Sequence, residues 1–346
     1  MLRATHVLGI LVITFLISAF SLANDKNDAA QQLLAKSFQQ ADLWTNSPVR
    51  LTANVTVPIK GKAEASLKYE VSWAGPDKWR AEWSGAGYSQ VIVVRDGMRY
   101  TYRNLNETPI VILNFEEALG ALSGFDPAGP YSPPLRITGV RPSTTSKKID
   151  GIEVRCVHPE QSSASFCIDP VSFLAIRNSG DGATFNYGDY GTLGQSKYPQ
   201  SIRITISDSE KEIPQLVTEG KVSVERVAAF PANIFLPGAN AHPESFPSCA
   251  DLEKNVVPPS VDNLNIHPHY PDEARRRAET GTVRLHLKLN SEGKLAASSI
   301  ARGATPELDK AALEMVSKWT YTPYIRCGKG VETEMLYLIR YSLENW

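Results

Sequence analysis

A two-residue period dominates the first two-thirds of the chain. Val49, Leu51, Ala53, Val55, Val57 and Ile59 alternate with Arg50, Thr52, Asn54, Thr56 and Pro58, and Ala65, Leu67, Tyr69, Val71 and Trp73 alternate with Ser66, Lys68, Glu70 and Ser72. Successive strand side chains point to opposite faces, so each run predicts a strand with one apolar face. Trp79, Ala81 and Trp83 continue the pattern, and Asp96-Gly97 between the runs 91–94 and 98–102 predicts a two-residue hairpin turn. More strands are expected near 135–141, 151–157, 165–177, 183–188, 200–207 and 215–228. That number implies a large curved antiparallel sheet or barrel. A single amphipathic helix over 29–44 precedes them, with Leu33, Leu34, Phe38 and Ala41 on one face.

Gly75-Pro76-Asp77-Lys78-Trp79-Arg80, then 90–97 ending in Asp96-Gly97, then Tyr100-Thr101-Tyr102, resembles the run in LolA-type lipoprotein carriers where a Pro-led strand precedes an Asp-Gly hairpin. Ile168-Asp169-Pro170 ahead of Phe173-Leu174-Ala175-Ile176-Arg177 is similar to a later hairpin of that superfamily. The likeness covers 29–235. It implies a mainly antiparallel β half-barrel partly closed by helix, whose apolar concavity could hold lipid or lipoprotein acyl chains. The same apolar rows are equally what a closed, filled core requires.

From 230 to 271 the period dissolves among eight prolines, and 236–268 reads as a Pro-rich linker. Order returns at 269–346. Pro271 with Asp272 and Glu273 predicts a helix ended by Gly281, and Val283, Leu285, Leu287 and Leu289 alternate with Arg284, His286, Lys288 and Asn290 in a strand. A turn at 290–293 leads to a second strand through Arg302. Thr305-Pro306 opens a helix with Leu308, Ala312, Met315 and Trp319 on one stripe, stopped by Pro323, and a last strand is expected over 335–343.

Tyr270-Pro271-x-x-Ala274-Arg275, Gly281-Thr282-Val283, Gly293-Lys294, Leu308-Asp309-x-Ala311-Ala312, Trp319-Thr320-Tyr321-Thr322-Pro323 and Gly328-Lys329 resemble, in order and spacing, the TonB C-terminal domain. The resemblance implies an α+β domain, two helices on a small antiparallel sheet, with an exposed edge to which a partner's extended segment adds as a strand. An edge strand offers unpaired N–H and C=O groups to such a visitor. The last strand is the expected edge, with Met335, Tyr337, Leu338, Arg340 and Tyr341 as partner-binding candidates; ordinary self-pairing of that edge is the alternative. The implied partner is an outer-membrane TonB-dependent receptor or another envelope protein. The chain departs from the family's energy transducers in lacking a plain Pro-Glu/Pro-Lys arm, which leaves coupling to the proton-motive force open.

Residues 1–23 have the layout of an export signal: Arg3 and His6 lead into an uncharged run, 7–23, closed by Ser21-Leu22-Ala23. Cleavage after Ala23 and retention of 7–23 as an inner-membrane anchor are both consistent with its length. The remainder is expected in the periplasm, soluble or tethered. Cys156 and Cys167 sit on facing strand-like runs about a polar turn and suit a disulfide, which leaves Cys249 with Cys327; buried free thiols are the alternative in each region.

A formal net charge of -1 with mixed signs gives no reason to expect a nucleic-acid partner. No Gly-x-Ser-x-Gly elbow, P-loop, dinucleotide fingerprint or His-Glu-x-x-His helix occurs in the sequence, so no catalytic residue, cofactor or metal site is expected. His267-Pro268-His269 lacks a nearby cysteine or carboxylate cluster. The functional expectation is a docking protein of the cell envelope, and the alternative is a periplasmic lipid or lipoprotein carrier with a TonB-like targeting domain.

Overall fold

The computed structural model describes residues 29–44, 47–57, 64–106, 108–123, 143–158, 164–180, 183–206, 216–247, 256–257, 259–261 and 270–343. The export signal, the strand expected at 135–141, His267, His269 and Cys249 lie outside them.

The alternating runs become strands as their periodicity dictates. β1 (Val49–Val57), β2 (Ala65–Trp73), β3 (Lys78–Gly85), β4 (Tyr88–Arg95) and β5 (Met98–Arg103) form an antiparallel meander. A second run comprises β6 (Ser143–Ile149), β7 (Ile152–His158), β8 (Ser165–Ile168), β9 (Ala175–Gly180), β10 (Ala183–Leu193), β11 (Ser196–Ile206) and β12 (Leu216–Arg226). β1 pairs with β12, Val49 opposite Arg226, which fuses both runs into one 13-stranded sheet. Asp96 and Gly97 both have positive φ, 54° and 72°, the mirror-image turn that matches strand twist, and Arg95 pairs with Met98 across it.

The thirteenth strand, β13 (His242–Ser245), corrects the linker reading. It pairs with β5 and closes that end of the sheet. Pro243 belongs to it because an edge strand tolerates a residue without an N–H. Further along the same stretch, β14 (Val256–Val257) and Val261 pair with the C-terminal region.

Helices lie against the apolar side of the sheet. Residues 29–41 are helical, three short of the expected 44. The helix Ile110–Ser123, which the strand-dominated sequence pattern did not reveal, places Phe115 edge-on to Tyr69 and Trp83, while the Trp83 indole donates to Glu116 at 2.8 Å. At this level the concavity is filled. Cys156 and Cys167 face one another on β7 and β8 and are bridged; Cys327 is also disulfide-bonded, with its partner outside the described residues.

The C-terminal unit follows the expected order with earlier helix stops. Its strands are β15 (Gly281–Leu289), β16 (Leu295–Arg302), β17 (Tyr324–Arg326), β18 (Lys329–Val331) and β19 (Thr333–Tyr341). The first helix is one turn, Asp272–Arg276, closed by Ala278 at φ 50° with the Glu279 N–H on the Ala274 carbonyl rather than by Gly281. The second, Pro306–Val316, is capped by the Thr305 hydroxyl and ends well before Pro323. The Tyr321 hydroxyl takes the Val316 carbonyl, so Trp319 enters the core from a turn. β17 and β18 form a hairpin about Cys327-Gly328, both at positive φ.

Packing inside the large sheet yields a direct test. A Cβ at Gly220 on β12 would fall into the Phe115 ring, which is fully enclosed and cannot retreat. Gly220→Ala should lower unfolding free energy by about 1–3 kcal/mol, the usual range for an overpacked core, read as a lower denaturation midpoint.

Candidate docking edge and interdomain junction

β15 is the centre of a three-stranded sheet ordered β16-β15-β19, and Val283, Leu285, Leu287 and Leu289 on it are fully buried under the helix Pro306–Val316. β19 pairs with β15 from Gly281–Tyr341 to Leu289–Thr333 with no break in register. Among the described residues its other side has no strand neighbour.

Among the described residues the remaining sheet edges are short or blunted, β14 and β18 having only two and three residues. β6 is exposed at six of its seven positions and carries Lys147 and Lys148; β13 has four residues including a proline; β16 pairs through two register shifts. Lysines, prolines and bulges are common means of keeping edges from pairing with other chains. β19 has none of them over its nine residues.

The five sequence candidates divide between the faces of this strand. Met335 and Tyr337 lie on the helix side, partly buried, with Tyr337 edge-on to Trp319 at 4.9 Å between ring centroids. Tyr341 shares that side but is 0% exposed and packs edge-on against Tyr270, so its ring is unavailable to a visitor. Leu338 is half-buried and Arg340 exposed on the opposite face. The strand begins at Thr333 and ends at Tyr341, rather than spanning 335–343.

The sequence reading missed what holds the leading end of β19. The Arg103 guanidinium forks onto the Glu334 carboxylate, at 2.6 and 3.0 Å, with side chains 18% and 13% exposed. Arg99 donates to Glu244 on β13 and, at 3.1 Å, to the main-chain carbonyl of Glu332. Lys288 pairs with Glu332. His286 Nε2 lies 3.1 Å from Glu334 Oε2, on the other side of the carboxylate from Arg103 Nη2. Arg284 and His286, the polar positions that alternate with the apolar row of β15, are both buried. Nothing local could reveal these pairings, since 145 residues separate Arg99 from Glu244 and 231 separate Arg103 from Glu334.

Burial alone would push the Glu334 carboxyl up; His286 and Arg103 outweigh that and hold it at about 2. Glu244 is likewise lowered, its burial offset mainly by the Arg99 charge.

With this geometry established, comparison with known proteins places the C-terminal unit. Residues 266–343 match the family of the Gram-negative bacterial TonB protein C-terminal. Protein TonB of Vibrio cholerae serotype O1 is 31% identical over 91 residues, which are 26% of this chain; the chain spans 37% of that protein's length. Among solved structures, a LolA superfamily protein from Nitrosomonas europaea is similar at 14% identity and a TM-score of 0.39, over 60% of this chain and 97% of that one. A DUF1329 family protein from Desulfovibrio piger shows 12% identity and a TM-score of 0.40, over 61% and 97%.

A depressed carboxylate contributes stability above its unfolded-state pKa and loses it as pH falls through the folded value. The Arg103–Glu334 contact should therefore weaken between about pH 4.5 and 2, costing on the order of 2 kcal/mol. In urea melts across that range, Glu334→Gln should flatten the decline; an unchanged slope would show that this carboxylate is not the one responsible.

Proposed function

We propose that this chain is a non-enzymatic docking protein of the periplasm, whose C-terminal domain engages an outer-membrane receptor or another envelope protein by adding the partner's extended segment to β19. The observation that carries this reading is the one long, regular edge without a strand neighbour among the described residues of the segment that matches the TonB C-terminal family. A visitor alongside Met335–Tyr341 would pair along the side of β19 that has no strand neighbour among the described residues, with its side chains set alternately beside Tyr337 and beside Leu338 and Arg340.

The carrier reading demands more of the structure. Acyl chains entering the concavity beside Tyr69 and Trp83 would have to displace Phe115 and its helix. Lipid co-purifying with the intact protein would support that reading over simple docking.

The docking test is a titration of the full chain with extended segments of outer-membrane receptors. Leu338→Pro removes an N–H and distorts the ladder, and should weaken binding by about tenfold or more, whereas Leu338→Ala should bind nearly as the parent does. Equal binding by both variants, or none by the parent, would count against strand addition.

A further inference from the structure

The contacts at the leading end of β19 continue into the large sheet as a buried chain of hydrogen bonds. Arg103 Nη1, besides meeting Glu334, donates to Thr108 Oγ1 at 2.9 Å. Thr108 donates to Gln90 Oε1 at 3.2 Å, and the same oxygen accepts from the Tyr88 hydroxyl at 2.5 Å. Thr108 and Gln90 are 5% and 2% exposed. Thr108 stands just ahead of Pro109, whose carbonyl receives the Ile112 N–H as the helix Ile110–Ser123 begins. The helix that fills the concavity and the strand with the free edge are thus joined through one arginine.

The same junction limits the edge. Arg99 occupies the Glu332 carbonyl and Arg103 encloses Glu334, so the main chain leading into β19 is committed to the large sheet. Between them is a cavity of 370 Å³ lined by Thr101, Tyr102 and Arg103 on β5 and by Glu332, Thr333 and Glu334. Thr333 and Glu334, the first residues of β19, therefore line the same cavity as β5. Buried forked pairs of this kind are rigid and expensive to break by removing one partner.

We propose that this junction is a latch on the docking strand, closed by Arg99 and Arg103 and steadied from the helix Ile110–Ser123 through Thr108. Closed, it confines an added strand to Met335–Tyr341. Open, it lengthens the usable edge, so whatever displaces the helix from the concavity raises affinity at β19. By linkage, a partner docked on β19 loosens the helix to the same degree. The proposal rests on the docking reading above and adds regulation to it.

The test uses the full chain in two arms: amide exchange of 333–341 and of 110–123, and titration with receptor segments seven and eleven residues long. Arg103→Met should speed exchange at 333–336 and tighten the longer segment by about fivefold or more, the lower end of usual coupling, leaving the shorter one unchanged. Thr108→Val, which keeps the pair with Glu334 and should fold even if Arg103→Met does not, should shift both readouts the same way by less. Unchanged exchange and affinity in Thr108→Val, with faster exchange in Arg103→Met, would leave the latch but remove the helix from it. If exchange at 333–336 is unchanged in a folded Arg103→Met, there is no latch, and docking stands or falls on Leu338→Pro alone. If no segment binds any variant, the docking reading fails, and with it the regulatory one.

Discussion

Main-chain N–H and C=O groups must find partners, and most of this fold can be derived from where each strand finds its own. In the large sheet the problem is solved by length: thirteen strands run from β6 to β13, so only two edges remain for many ladders. Those two are protected, by lysines on β6 and by brevity and proline on β13. The three-stranded sheet of β16, β15 and β19 has too few strands to hide its edges and blunts only β16, through bulges. Among the described residues β19 keeps one side without a strand neighbour because the helix Pro306–Val316 covers a face, and a face is not an edge.

How much of this could be read from the sequence follows from the range of the interactions involved. β1 to β5 were legible because alternation is a local consequence of the pleat, and Asp96-Gly97 because only two adjacent residues set the turn. The bridge between Cys156 and Cys167 was legible because the strands carrying them are contiguous. Helix ends fell short of Gly281 and Pro323 because other local features made the stop: Ala278 turns left-handed, and Tyr321 reaches back to Val316. β13 was hidden by the very proline that suits it to an edge.

The candidate site was legible in its backbone and not in its side chains. A terminal strand in a short sheet is an edge by topology, which motif order supplies. Which of its residues are free depends on the partner face: Tyr341 is enclosed by Tyr270 and the helix side, and Glu334 by an arginine 231 residues away. Alternation in β15 does not reveal the burial of Arg284 and His286, because a local pattern cannot report what rests on that face.

The two halves meet through polar contacts rather than through a continuous apolar core: the main buried clusters of each unit share no residue, while Arg103 pairs with Glu334 and Arg99 donates to the Glu332 carbonyl across the junction. That choice has a mechanical consequence. Apolar contacts tolerate sliding, because their energy varies smoothly with buried area. A forked pair of largely buried groups has one good geometry, and losing it leaves two charges poorly compensated. An interface built this way tends to be either seated or separated, with little between, which is the behaviour required of an element that must hold a strand in register and then let it go.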